Sequence, residues 1–411
     1  MLLRSKLYDT IRNASILFLL FGSILFAIKC SAADSPQSKM ECVAPGTWLR
    51  MQDKHVIDNR EVEKYFSQQQ VVILGERHDI FDHHRWQLQV IAGLYALHPD
   101  LAIGFEMFPR EAQPVLDEWV AGKLSEAEFL KKSNWYNYWS FDPTLYLPIF
   151  NFARINHIPM IALNVNHAFF NEVQQRGWAA IPKDQRKGIT DPAPPQRAYL
   201  EMLAEIFMQH LPGRHGHDEK LKDFTDQEKK GFKHFVEGQQ LWDRSMAQGI
   251  ARVAQEKNAP LIVGLMGSGH MMNGFGVPHQ LEALGVKKIA TSVPWDDQLS
   301  CDDLVPGFAY AVFGIQTPVE VSEEDKPHLG VYLEQTEQGM KVMKIVKNSV
   351  AAASGIAIGD IIVKIAGKQV HNISDVVVVV QNMVPGTWLP LTVKRSEKRV
   401  DIIAKFPSKA D

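Results

Sequence analysis

Short apolar runs, each followed by a stretch of helical periodicity, constrain this chain more than any other feature. The runs are Val71–Leu74, Leu101–Phe105, Ile158–Leu163, Leu261–Leu265 and Lys288–Val293. Strands of this length alternating with helices are the pattern of βα units around a mainly parallel sheet. After the first run, Asp82 is placed to cap a helix whose apolar residues Trp86, Val90, Ile91, Leu94 and Leu97 fall on one face. Ser125 and Glu128 form a capping box for another helix. The polar, helix-periodic stretch from about residue 167 to 250 reads as a helical insertion. A further strand-like run, Ala309–Ile315, precedes the charged, proline-bearing segment Thr317–Pro327, which reads as a linker to a small β-rich domain. The expected fold class is therefore α/β, a mainly parallel sheet flanked by helices with a helical insertion, plus that C-terminal domain. The expected boundaries are 45–316 for the α/β domain, 317–327 for the linker and 328–407 for the last domain.

The N-terminus follows a different pattern. Arg4, Lys6 and Arg12 precede an apolar run from Ala14 to Ile28, and Ser31, Ala32 and Ala33 follow it. A basic region, an apolar core too short for the ~20 residues of a spanning helix and a small-residue site make residues 1–32 a secretory signal peptide. The expected location is the periplasm or cell envelope. Cys30 raises the question of a lipid anchor, but Lys29 stands where that signal needs a small residue, so none is expected. Cys42 and Cys301 then bracket the α/β domain, and an oxidising compartment permits a bridge between them. A formal net charge of −3 gives no field for nucleic acid or an acidic membrane.

In open α/β sheets ligands bind beyond the carboxyl ends of the strands. Those ends carry Glu76 and His78, then Glu106, then Asn164 and Asn166, then Gly267-Ser-Gly-His270. Carboxylates and imidazoles gathered at one rim suit a divalent metal or general acid–base work, and Glu76, His78, Glu106 and His270 are the candidate ligands. Gly267 to Gly269 could aim amide N–H groups at an anion, or form only a tight turn. His83 and His84 begin the following helix, where one is expected to face the crevice and the other solvent. The aromatic stretch Trp135–Tyr146 suits a flat apolar ligand with a phenolate for iron, and equally suits core packing. His210, His215, His217 and Asp218 resemble a metal cluster, although no strand fixes them, and a surface loop is expected. No zinc-protease helix, Cys-x-x-Cys-His haem attachment, nucleophile elbow or P-loop is present.

Taken in order, Leu74-Gly-Glu-Arg-His78, Asp82-His-His-Arg85, Phe105-Glu-Met-Phe-Pro-Arg110, Trp139-Ser-Phe-Asp142, Ile161-Ala-Leu-Asn164, Leu241-Trp-Asp243 and Gly267-Ser-Gly-His270 resemble the ChaN-like haem-binding family of the Tiki superfamily. The resemblance implies an envelope protein that binds haem or an iron complex in iron acquisition, with haem held between two subunits, a homodimer, and iron ligated by tyrosine. It offers Tyr138 or Tyr146 as that tyrosine, with His83 and His84 as further cofactor contacts. Some relatives in the superfamily are metal-dependent peptidases, so a metal-dependent hydrolase is a second reading and a non-catalytic envelope scaffold a third. No catalytic residue is assigned.

The last domain resembles PDZ modules of bacterial envelope proteases through Leu329-Gly-Val-Tyr332, Val350–Gly355, Gly359-Asp-Ile-Ile362, Ile365-Ala-Gly367 and Pro385-Gly386. That likeness implies a C-terminal peptide or envelope protein as partner, bound by Leu329, Gly330, Val331 and Tyr332 opposite a helix near residues 374–382.

Overall fold

The computed structural model describes residues 42–139, 141–209, 211, 224–296, 299–316 and 327–408. The expected signal peptide, the expected linker up to residue 326 and the His210/His215/His217/Asp218 cluster lie outside the described residues.

The strands of the first sheet are β1 (Trp48–Arg50), β2 (His55–Ile57), β3 (Val71–Glu76), β4 (Leu101–Pro109), β5 (Met160–Asn164), β6 (Leu261–Gly267), β7 (Ile289–Trp295) and β8 (Ala311–Gly314). Their spatial order is β2-β1-β8-β7-β3-β6-β4-β5. All neighbours from β8 to β5 run parallel, and the β1–β2 hairpin adds an antiparallel end. The predicted mainly parallel sheet is present; the hairpin was not foreseen, because three-residue strands carry too little periodicity to read.

Every residue of β3 and β4 is buried, as expected of strands covered on both faces. Alternation along them divides the core. Val72, Leu74, Ile103 and Phe105 face one layer, formed by α1 (Asn59–Phe66), α2 (Phe81–Leu97), α3 (Gln113–Val120), α4 (Glu126–Lys132), α5 (Trp135–Tyr138) and α6 (Leu147–Ile155). Val71, Ile73 and Ala102 face the other, where α9 (Asp226–Ala254) and α10 (Val277–Ala283) lie. Helices α7 (His167–Arg176) and α8 (Arg197–Gln209) precede α9 and contact it. The expected helical insertion is thus corrected in part. Its last helix, α9, carries a capping box of Thr225 and Glu228 and covers β5 and β6 as part of the flanking layer. Asp82 is corrected too: α2 begins at Phe81, so Asp82 sits in its first turn and caps nothing. The Ser125–Glu128 capping box is present.

Cys42 and Cys301 form a disulfide, with their Cα atoms 5.6 Å apart across 259 residues of sequence.

The second sheet is antiparallel: β9 (Val331–Thr336), β10 (Gly339–Ile345), β11 (Ile361–Ile365), β12 (Lys368–Gln369), β13 (Trp388–Arg395) and β14 (Lys398–Lys405). The order is β14-β13-β11-β10-β9, which leaves β9 at an edge. Helices α11 (Val350–Ala353) and α12 (Ile373–Gln381) close a core that includes Leu329, Val342, Ile362, Val376 and Leu391. Among the described residues no helix is long and apolar enough to cross a membrane.

Candidate functional site

Strands β3, β6 and β4 are parallel neighbours, so their carboxyl ends emerge side by side, with Glu76 in register with Gly267. Four residues singled out from sequence, Glu76, His78, Glu106 and His270, meet here in two hydrogen-bonded chains.

In the first chain, the Tyr146 hydroxyl donates to Glu76 Oε1 at 2.5 Å, and His78 Nδ1 meets the same oxygen at 2.8 Å. Gln87 donates to Glu76 Oε2 at 2.9 Å, with His84 Nδ1 at 3.5 Å. In the second, the Tyr199 hydroxyl donates to Asp243 Oδ2 at 2.7 Å, and His270 Nδ1 meets Asp243 Oδ1 at 2.6 Å. His270 Nε2 lies 3.6 Å from Glu106 Oε1, and Glu106 Oε2 accepts the Gly267 N–H at 2.7 Å. Each chain therefore runs tyrosine, carboxylate, imidazole.

The backbone of β6 makes this closeness possible. A Cβ on Gly267 would lie 2.9 Å from His78 Cε1 and 3.0 Å from its Nε2, so any side chain there would displace the ring. Of the two sequence alternatives for Gly267 to Gly269, amides offered to an anion or a tight turn, the structure shows the turn and removes the first of those amides. The Gly267 N–H is taken by the protein's own Glu106, and Ser268–His270 form a single 3-10 turn.

Burial disfavours every charge in this cluster, and pairing opposes burial. For Glu76 burial raises the carboxyl, but hydrogen bonds from His78 and His84 outweigh it and hold the group well below its usual range. Burial depresses His270, yet Glu106 and the hydrogen bond to Asp243 dominate and lift it to about 9. His78 is also raised: burial lowers it, while Glu76 and Glu106 more than compensate. Tyr146 and Tyr199 are both pushed well above the usual phenol value, first by burial and then by the adjoining carboxylates. Two carboxylate-oriented imidazoles at one rim can hold or move protons on a bound molecule.

The divalent-metal expectation finds no support. The acids and imidazoles turn toward one another, and among the described residues no group of three or more His, Cys, Asp or Glu is arranged to hold an ion.

Next to these chains lies a cavity of about 270 Å³, with His78, Glu106 and His270 on its polar side and Trp139, Phe141, Trp242, Tyr138 and His167 around the rest. Trp242 stacks on Phe170 at 3.9 Å and has an indole N–H buried without an acceptor. A depression of about 340 Å³ shares the Asn164–Val165 wall and adds Arg110, Glu111 and Lys187.

Of the residues expected to touch a cofactor, only Tyr138 reaches this cavity. It is half-buried, edge-on to the exposed His167 at 5.4 Å, and burial raises its hydroxyl. Tyr146 is corrected: it is fully buried and its hydroxyl is spent on Glu76. His84 is also fully buried, between Gln87, Glu76 and the His78 carbonyl. His83 is buried as well, accepting the Arg77 N–H at 2.9 Å. Neither histidine faces solvent as had been expected for one of them: the exposed side of the first turn of α2 carries Phe81, while His83 and His84 both turn inward. Asp243, Tyr199 and Gln87 were missed as site residues. Asp243 had a signal: an acid on the apolar face of α9 among Leu241, Met246, Ala247 and Ile250.

In the small domain, Leu329, Gly330, Val331 and Tyr332 line one side of a groove of about 790 Å³, and Ile373, Val376, Val377 and Val380 of α12 line the other. Gly330 has φ +80°, and a Cβ there would fall 2.2 Å from Ser349 Cβ, so the turn requires glycine.

Residues 62–281, more than half of the chain, match the family described as haem-binding uptake, Tiki superfamily, ChaN, and residues 327–405 match a PDZ domain. No curated protein matches the chain. Among solved structures, ChaN of Campylobacter jejuni, described as binding haem cofacially, is similar at 17% identity with a TM-score of 0.50, over 65% of this chain and 95% of that one. At that identity the likeness speaks to the fold. A serine endoprotease from Yersinia pestis (24% identity, TM-score 0.19, 21% of this chain and 30% of that one) and the HtrA3 PDZ domain with a phage-derived ligand (24%, 0.18, 20% and 84%) are also similar. Likenesses with scores so low carry no weight for function.

Proposed function

Because this chain belongs to the family of haem-binding uptake proteins that includes ChaN, and carries a PDZ domain after that region, we propose that it is an exported envelope protein that takes up haem as cargo in iron acquisition. Its PDZ groove would engage the C-terminal peptide of an envelope partner.

One observation carries the reading: an aromatic-walled cavity with a half-buried phenol in its lining, beside a depression lined by Arg110 and Lys187 with Glu111. At about 270 Å³ the cavity is smaller than the sites that enclose drug-sized ligands, so a flat macrocycle would lie across its mouth. The residues fit such a ligand. Trp139, Phe141 and Trp242 would offer apolar faces, Tyr138 would offer an oxygen to iron, and Lys187 in the neighbouring depression would offer a cation to a propionate. Bound there, haem would supply the iron that the role requires; His78 and His270 would face it as proton-bearing groups. A ligand across the mouth keeps one face outward, and a second copy of the chain would cover it. The Cys42–Cys301 bridge supports export, since disulfides persist in oxidising compartments.

Titration of the mature protein with hemin tests the reading: a Soret band that shifts and saturates is expected, and Tyr138→Phe should alter the band and weaken binding. Sedimentation with and without hemin reads the dimer. A featureless titration, or one untouched in Tyr138→Phe, would remove the proposal.

A further inference from the structure

A second cavity, of about 400 Å³, lies beneath the C-terminal half of α9, against β5 and the start of α3. Gln248, Arg252 and Gln255 of α9 border it, together with Arg110, Ala162 and Leu284. Gly249 lets the helix approach: a Cβ there would meet Leu163 Cδ2 at 2.9 Å.

Two guanidinium groups border this space, and no aspartate or glutamate lines it. Arg110 is half-buried, donates to the Ser245 carbonyl at 2.6 Å, and has its Nε–H buried without an acceptor. Burial, and then repulsion from Arg252, lower Arg110 to about 10. The glutamines do not compensate. Gln248 holds the Thr190 N–H and the Gly188 carbonyl, and Gln255 holds the Leu284 carbonyl. Two like charges bordering one partly desolvated space are what an anion would relieve. Guanidinium matches the planar oxygens of a carboxylate or phosphate.

We propose that this cavity is a binding site for a small organic oxyanion, a carboxylate or phosphate ester, held between Arg110 and Arg252. The volume exceeds what a bare ion fills and falls within the range of small-molecule sites. Ala162, Ala251 and Leu284 give the remainder of such a molecule an apolar surface. The space under α9 and Arg252 play no part in the haem reading; Arg110 borders both this cavity and the depression beside the aromatic one.

Calorimetric titration of the mature chain with citrate and with glycerol phosphate tests it and separates the two chemistries. Arg252 is exposed, so its variants should fold, and an unchanged hemin titration checks that. Saturable binding of at least one probe is expected, weaker by about tenfold in Arg252→Gln and abolished in Arg252→Glu. No binding of either probe at millimolar concentration, or binding unchanged in Arg252→Glu, would overturn the proposal.

Discussion

The two sites are built on opposite principles. At the carboxyl ends of β3, β4 and β6, buried carboxylates and imidazoles are already satisfied by one another before any ligand arrives. In the PDZ groove the walls are aliphatic, Val377 and Tyr332 are exposed, and β9 is an edge strand. The first site is held rigid by charge pairing; the second leaves apolar surface and strand edge for a partner to complete. Sensitivity to mutation, pH and redox state should therefore concentrate in the α/β region and spare the groove.

Four measurements could break that contrast. The largest effect is expected from Glu76→Ala, which strips an acceptor from Tyr146, His78 and Gln87; the α/β unfolding transition should lose about 3–5 kcal/mol, and Glu76→Gln should lose less. Calorimetry showing a small loss would mean the pairs are not holding the site. Next is the disulfide. Reduction, or Cys42→Ser, removes a constraint worth roughly 2–4 kcal/mol, and should lower the α/β melting temperature while a melt of the small domain stays in place.

Third is pH. The His270 imidazole, lifted from 6.5 to about 9, contributes stability that is full below about 6.5, declines above it and is gone once the pH passes about 9. By linkage that difference is worth about 3 kcal/mol. Glu76, held low, contributes above the usual carboxylate range and loses that contribution as the pH falls through its folded value. In the small domain burial raises Asp360, but its hydrogen bonds with Arg395 outweigh that and hold it low, so its sensitivity lies on the acid side alone. Melts from pH 6 to 9.5 should thus weaken the α/β region only, and His270→Gln should flatten that decline. Smallest is Val377→Ala: unfolding should change by no more than about 0.5 kcal/mol, whereas the affinity for a peptide with an apolar C-terminus should fall roughly tenfold, read by fluorescence polarisation.

Sequence reasoning reached the rim but not its wiring. Strand ends are legible because apolar runs of four to six residues stop at polar ones, and this located Glu76, Glu106 and His270 before any coordinates. Partner choice is not legible. Nothing local distinguishes Tyr138, which lines the cavity, from Tyr146, eight positions on and locked onto Glu76. That difference comes from where α5 and α6 pack. Likewise Tyr199 and Asp243 meet only because α8 and α9 lie together, a relation carried by no periodicity within either helix.

The bond between Cys42 and Cys301 makes a ring of almost the whole first domain. A protease that nicks any loop inside that ring leaves two polypeptides still fastened to each other, and they separate only in reductant. A cut between Gly314 and the small domain instead severs its covalent tie, so the PDZ domain is detachable by one nick where the first domain is not.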